Sequence, residues 1–196
     1  MIAMSGNVSV ETTTQKRDSG SILGALKRMV TGESFFLNHF TPSGEGGEVY
    51  FGTVMAGDMM EYQLDGPGLL VQGGSYVASS PSVNMDIQWQ GFGKAFFSGE
   101  SMFLIHLSGN GPIIFNSFGA IYPIQVNGEY IVDTGHIVAF EESLNYVIEK
   151  AGGSWLSAIM GGEGLVCKFQ GQGTVWCQSH NAGSFGQALG PMLKHQ

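Results

Sequence analysis

Apolar residues along the chain fall into short runs separated by glycine, proline, asparagine and serine. The runs are rich in β-branched and aromatic residues, a composition typical of β-strands bounded by turns. The clearest runs lie at 47–54, 68–74, 112–118, 129–134 and 173–178. The pattern predicts an all-β protein with many short strands.

Three stretches have helical rather than alternating spacing. Residues 22–30 and 154–160 place their apolar side chains on one helical face. Residues 184–193 form a third candidate, which Gly190 and Pro191 interrupt. We therefore expect short helical segments beside the strands.

A short sequence pattern recurs along the chain. GESFFLNHF at 32–40 returns as GESMFLIHL at 99–107 and, more loosely, as GEGLVCKFQ at 162–170. A second signature, at 73–87, returns at 134–148, and the segment 1–10 matches it once more. Such recurrence indicates repeated supersecondary units.

The repeats predict one fused body over residues 1–196. Its units are expected at approximately 1–60, 61–120 and 121–196, and no Ser/Gly linker or charge run divides them. The first unit begins in mid-repeat, so we expect either upstream sequence or a neighbouring molecule to supply its missing strand edge. An unpaired edge would otherwise favour aggregation.

The third repeat predicts a β-hairpin. VCKFQ and TVWCQ flank Gly171-Gln172-Gly173, a short glycine loop, and SGNG at 108–111 occupies the same place in the second repeat. This pairing would set Cys167 opposite Cys177. The two thiols would then be able to bridge under oxidation, although two apolar strand residues are the simpler interpretation.

Composition and charge narrow the class of protein. Gly contributes 31 of the 196 residues, charged residues 12% and hydrophobic residues 43%, which fits a turn-rich β protein whose apolar surface is partly covered by other subunits. We therefore expect a homo-oligomer, with a trimer favoured. The net charge of −8 and the scattered basic residues argue against nucleic acid as a partner.

Hydropathy gives no sign of a membrane or secreted protein. No apolar run approaches the length of a transmembrane helix, which needs about 18 residues or more. No basic region is followed by a signal-peptide core. The sequence therefore predicts a cytoplasmic protein without a transmembrane segment.

Two histidines are the candidates for a metal site. His39 and His106 each lie seven positions after the repeated glycine, whereas the third repeat has Phe169 at that distance. A mononuclear site needs two histidines and a carboxylate that converge on the ion. The favoured alternative is that both are strand residues whose ring nitrogens bond locally.

Three glutamates recur after glycine and invite a catalytic interpretation. Repeated copies tend to share one environment, whereas an acid–base pair needs two different ones, so we expect these residues to fix turns. The predicted repeat turns are formed by Gly32, Glu33, Gly99, Glu100, Gly162 and Glu163.

Motifs for covalent catalysis or cofactor binding are not found. GxSxG, the P-loop lysine and a complete dinucleotide fingerprint do not occur, so we expect no catalytic residues, no cofactor and no enzymatic activity. Aromatic residues crowd the middle repeat and are candidates to line a ligand cavity. They are Trp89, Phe92, Phe96, Phe97, Phe103, Phe115 and Phe118.

The repeated segments GESFFLNHF, SYVASSPSV, GHIVAFEESLNYVI and GEGLVCKFQGQGTVWCQ resemble the AIM24-type family, named for altered inheritance of mitochondria. The resemblance implies a double-stranded β-helix fold like that of the trp RNA-binding attenuation protein, with three pseudo-equivalent units, often assembled as a trimer. The attenuation protein binds RNA through repeated basic residues, and no such repeat occurs here.

Three hypotheses of function follow. The first is a non-enzymatic oligomeric β scaffold that binds partner proteins. The alternative is a small-molecule binding module with the aromatic-lined cavity, and the third is a metal enzyme that uses His39 and His106.

Overall fold

The structure, a computed structural model, describes residues 1–14, 36–90, 102–150 and 165–193. The strands in these ranges are β1 (Ala3–Met4), β2 (Val8–Thr14), β3 (Phe36–Pro42), β4 (Val49–Tyr50), β5 (Met59–Leu64), β6 (Leu69–Gln72), β7 (Tyr76–Ser79), β8 (Val83–Gln90), β9 (Met102–Gly109), β10 (Gly111–Asn116), β11 (Ile121–Asp133), β12 (Ile137–Glu141), β13 (Asn145–Lys150) and β14 (Leu165–Gln178). The prediction of a mainly β protein is confirmed.

Helical structure is sparse in the described ranges. The helix α1 spans Ala182–Leu189, and a 3₁₀ turn at Gly190–Met192 follows it, so the predicted segment at 184–193 is helical. Asn181 begins α1 by accepting hydrogen bonds from the backbone N–H groups of Gly183 and Ser184 at 2.8 and 3.2 Å. The predicted helices at 22–30 and 154–160 lie outside the described residues.

The chain divides into two compact units, Met1–Gly52 and Thr53–Gln196, here called unit 1 and unit 2. In unit 1, β1 pairs with β4 and β2 pairs with β3, both antiparallel. The predicted division into one fused body of three repeats stays a prediction.

The described residues of unit 2 form two antiparallel sheets. The smaller has the order β5-β10-β7. The larger has the order β11-β14-β12-β6-β9-β8, and β13 also pairs with β14. No helix in the described ranges is long and apolar enough to cross a bilayer.

The predicted hairpin around Gly171 is wrong. β14 runs without interruption through Gly171 and pairs along its length with β11, where Gly128 lies opposite Gly171. Both glycines have a positive φ, +109° at Gly128 and +123° at Gly171. Glycine tolerates this backbone conformation without a steric penalty, so the strand continues where a loop was expected.

Gly171 marks a change of strand partner on one side of β14. Before Gly171, β14 pairs with β13, and after Gly173 it pairs with β12. The predicted loop at 108–111 behaves similarly, because β9 pairs with β8 and β6 whereas β10 pairs with β7 and β5. In both places, the strand pairing changes from one neighbouring strand to another at a pair of glycines.

The cysteine pairing that the hairpin implied is also wrong. Cys167 and Cys177 are free and buried, and they lie near opposite ends of β14. At roughly 3.3 Å per residue the strand separates them by about 33 Å. A disulfide requires Cα atoms within about 7 Å, so the two thiols do not bridge within one chain.

Unit 2 holds most of the apolar core. Phe115, Phe140 and Phe169 are fully buried, and the ring centroids of Phe140 and Phe169 lie 5.0 Å apart. Among the described residues of unit 1, Val8 alone is a buried hydrophobic residue. The two units thus differ sharply in how much apolar surface they bury.

Candidate functional site

The predicted repeat turns fall where the structure gives no description. Gly32, Glu33, Gly99, Glu100, Gly162 and Glu163 all lie outside the described residues. Their roles as turn residues stay predictions.

The two candidate histidines lie on strands and bond locally. His39 is an exposed residue of β3 in unit 1, with Nε2 at 2.8 Å from Thr13 Oγ1. His106 is on β9 in unit 2, with Nε2 at 3.1 Å from Glu142 Oε2. The same carboxylate oxygen accepts the backbone N–H of Gly68 at 2.8 Å.

The pKa of Glu142 lies below its usual value. The main cause is the hydrogen bond from His106, with smaller contributions from the Gly68 N–H and the charge of His106, while partial desolvation opposes them. No group of three His, Cys, Asp or Glu side chains that might hold a metal ion is found in the described ranges. His106 and Glu142 therefore form a pair that links β9 to the residue after β12.

The strand register gives the position on β14 that aligns with His106. Asn84 pairs with Ser108, and Asn145, which the sequence signature aligns with Asn84, pairs with Gln170. Ser108 and Gln170 are therefore aligned. His106 lies two residues before Ser108, and Lys168 lies two residues before Gln170, so Lys168 and not Phe169 aligns with His106. The sequence pattern hides this because Lys168 follows its repeated glycine by one position fewer than His106 does.

Lys168 is the centre of an exposed face on β11, β14 and β13. We call this the outer face, and its residues are Glu129, Ile131, Asp133, Asn145, Val147, Glu149, Val166, Lys168 and Gln170. Ile131 and Val147 both pair with Lys168 and flank it from either side, with exposed fractions of 54% and 58%. The alternate positions of the same strands, such as Val132, Cys167 and Ile148, are buried.

Charge surrounds the apolar pair on this face. Lys168 Nζ lies 2.9 Å from Glu129 Oε2, and the amide of Gln170 donates to the same oxygen at 3.2 Å. The hydrogen bond between Lys168 and Glu129 raises the pKa of Lys168 and lowers that of Glu129. The two exposed apolar side chains of this face therefore lie on either side of a Lys168–Glu129 ion pair.

The aromatic residues of the middle repeat occupy separate surroundings. Phe115 is buried, and its ring centroid lies 6.1 Å from that of Trp176. The ring centroids of Phe118 and His180 lie 5.0 Å apart. Phe103 is on β9, against Gly73. Phe92, Phe96 and Phe97 lie outside the described residues, and Trp89 is on β8.

A further aromatic contact was not anticipated from the sequence. The rings of Tyr62 and Trp176 meet edge to face with centroids 5.3 Å apart. Burial raises the pKa of Tyr62, and the nearby carboxylates of Glu141 and Asp65 raise it further. The aromatic-lined cavity stays a prediction.

Strand pairing differs between the described parts of the two units. In the part of unit 1 that the structure describes, β3 pairs with β2 alone and β4 with β1 alone. In unit 2, β9, β10 and β14 pair on both sides.

Comparisons with known proteins find relatives over nearly the whole chain. The model of the AIM24 family, described as Mitochondrial biogenesis AIM24, matches residues 1–180. An uncharacterized protein of Streptococcus pyogenes serotype M6 is 30% identical over 194 residues, which cover 96% of this chain and 77% of that protein. A crystal structure of a Streptococcus pyogenes protein has a TM-score of 0.81 at 28% identity, covering 98% of this chain and 86% of that one.

Proposed function

The chain belongs to the AIM24 family, and from this premise we propose that it is a non-enzymatic β scaffold that assembles with itself, most simply as a trimer. The observation that carries the proposal is the outer face. Ile131 and Val147 are more than half exposed on either side of Lys168, at the centre of a three-stranded surface. Large apolar side chains exposed on one face mark a candidate contact surface.

Repeated strand registers support a scaffold of three pseudo-equivalent units. Ala78 pairs with Ile114, and Ala139, which the sequence signature aligns with Ala78, pairs with Trp176. In both ladders the register shifts at the next pair. In unit 1, the pair Val8–Pro42 corresponds to Val83–Gly109, and these positions match those that the sequence repeats bring together. The coincidences favour the fold class of the trp RNA-binding attenuation protein.

The scarcity of charge supports self-assembly. Only 12% of the residues are charged, and exposed apolar side chains occur in both units. Burial of such surface between copies would remove it from water at roughly 25 cal/mol per Å² of apolar area. We infer that the outer face lies at the contact between copies.

The test is the mass of the purified protein in solution. By multi-angle light scattering at micromolar concentration, we expect a particle of three 20.9 kDa chains. Because a carboxylate buried in an apolar contact is costly, Ile131→Asp and Val147→Asp should each shift the particle toward single chains.

The matched control is Val54→Asp. Val54 is 99% exposed and lies off the outer face, so the same change of chemistry should leave the mass unaltered. Circular dichroism is the check that each variant keeps its strands. A wild-type protein that is a single chain at these concentrations, or equal dissociation by Val54→Asp, would contradict the proposal.

A further inference from the structure

The outer face carries an excess of negative charge. Its charged side chains are one lysine, Lys168, and three carboxylates, Glu129, Asp133 and Glu149, which give it a formal charge of −2. Lys168 is ion-paired with Glu129. Asp133 accepts the backbone N–H of Gly135 at 2.8 Å, and Glu149 is exposed. The two carboxylates outside the ion pair are therefore the source of the net charge.

This charge restricts what the outer face can meet when copies assemble. Two outer faces in contact would bring like charges together, which is unfavourable in an interface. In a ring of three copies, each contact joins two different surfaces, so one copy presents the outer face and the next presents a complementary surface. That second surface must offer basic groups beside apolar side chains.

The described ranges contain too few lysines and arginines to form such a surface. Of the eight Lys and Arg residues in the chain, these ranges contain Lys150 and Lys168. Lys168 belongs to the outer face itself, and Lys150 ends the neighbouring strand β13. The complementary basic surface therefore comes from a segment outside the described residues.

Charge and apolar content select one of these segments. Residues 91–101 have one lysine and one glutamate, and residues 151–164 have one glutamate and no basic residue. Residues 194–196 have one lysine but no apolar residue. Residues 15–35 have two acidic residues and half of the basic residues of the chain, which are Lys16, Arg17, Lys27 and Arg28. This segment alone combines a net positive charge with apolar residues.

The apolar residues of this segment also suit the outer face. The sequence pattern at 22–30 predicts a helix with an apolar side formed by Ile22, Leu23, Leu26, Met29 and Val30. Lys27 lies at the border of that side, about 40° from Leu23 at 3.6 residues per turn. A lysine in such a place can cover apolar surface with its stem and still reach a carboxylate.

We propose that residues 16–30 of one copy dock on the outer face of the next copy. The apolar side of the segment packs on Ile131 and Val147, and its basic residues lie near Asp133 and Glu149. This contact rests on the self-assembly proposed above and identifies the second surface that it requires. Around a threefold axis, every copy gives one segment and accepts one, so the ring closes.

Zero-length cross-linking of the full wild-type chain tests the contact. Isotopically light and heavy protein are mixed, and native mass spectrometry verifies that they have exchanged subunits. A carbodiimide then joins lysine amines to carboxylates with loss of water. We expect mixed-label peptides that join Lys16 or Lys27 to Asp133 or Glu149, because the two partners come from different copies.

The ion pair of the outer face provides an internal control for this experiment. Lys168 Nζ and Glu129 Oε2 lie 2.9 Å apart in one chain, so their link should carry a single label. Its detection shows that the reagent reaches the outer face.

Charge reversal gives an independent measurement. Lys27→Glu should raise, by about tenfold, the protein concentration at which half of the particles dissociate, because it places a carboxylate near Glu149. Adding Glu149→Lys to that variant should restore much of the loss, since the two charges are then exchanged. Lys94→Glu makes the same change in net charge outside the proposed contact and should leave dissociation unaltered.

Other outcomes would overturn this contact. Links from the segment to the outer face with a single label would place the segment on its own chain, and mixed-label links from Lys168 to Glu149 would show that two outer faces meet. Absence of links from Lys16 and Lys27, or an equal effect of Lys94→Glu, would also contradict it. A particle of three chains with any of these results removes this contact alone, whereas a wild-type single chain removes self-assembly as well.

Discussion

Single glycines decide where the strands change partner. Gly109, Gly111 and Gly171 all have a positive φ, and each lies where one strand leaves a neighbour and meets another. Any other residue would be strained in that conformation. The high glycine content of the chain therefore includes positions inside long strands as well as turns.

Glu142 is a residue whose ionisation we expect to affect stability. Its pKa is lower in the folded protein than in the unfolded chain, so its contribution is present above the unfolded value, about 4.3, and is lost as the pH falls through the folded value. The side chain is 51% exposed, so solvent screening limits the contribution to a few tenths of a kcal/mol, at most about 1.

Urea unfolding of Glu142→Gln checks this expectation. The variant should be less stable than the wild type at pH 6, and the difference should shrink as the pH falls through the lowered pKa of Glu142. Glu61→Gln, on β5, is the matched control and should show no such difference. A stability gap that stays constant as the pH is lowered would show that the carboxylate charge is not the cause.

At the scale of elements, the sequence predicted short strands correctly and long ones poorly. The runs at 68–74 and 112–118 correspond to β6 and β10. The run at 129–134 is only the end of β11, because Pro123 and Gly128 interrupt the apolar pattern while the strand continues. Pairing with β14 keeps Pro123 and Gly128 within the strand, and this pairing cannot be read from the local composition.

The candidate site was less predictable than the strands. The sequence pattern identified His39 and His106 as candidates. It did not identify Lys168, which has the strand register of His106, because Lys168 follows its repeated glycine at a different spacing. The alternation in β13 does indicate that Val147 faces away from the core. Which exposed apolar residues become neighbours depends on the pairing of β11, β14 and β13, which no local pattern specifies.

The continuity of β14 predicts the behaviour of the two cysteines. Burial raises the pKa of Cys167 to about 12 and that of Cys177 to about 11, and thiolates are the reactive form. Native protein at pH 8 should therefore not react with an aromatic disulfide reagent, while protein in guanidinium chloride should release two equivalents. A native thiol that reacts within minutes would contradict this placement.

For the whole molecule, the unequal cores of the two units predict unequal local stability. Unit 1 buries Val8 among its described hydrophobic residues, whereas unit 2 buries a large apolar cluster. Regions with few buried apolar contacts open more readily. In native-state hydrogen exchange, we expect the amides of β2 and β3 to exchange at least about tenfold faster than those of β14. Equal protection in both units would contradict the expectation.

Translation imposes an order on the partners of β14. The ribosome completes β11 and β13 before their shared partner β14 exists, since that strand occupies residues 165–178. The nascent chain must therefore hold apolar strands such as Ile121–Asp133 unpaired until β14 has left the exit tunnel. Such exposed edges are what chaperones bind, so the folding of unit 2 should be sensitive to loss of the chaperones that receive nascent chains.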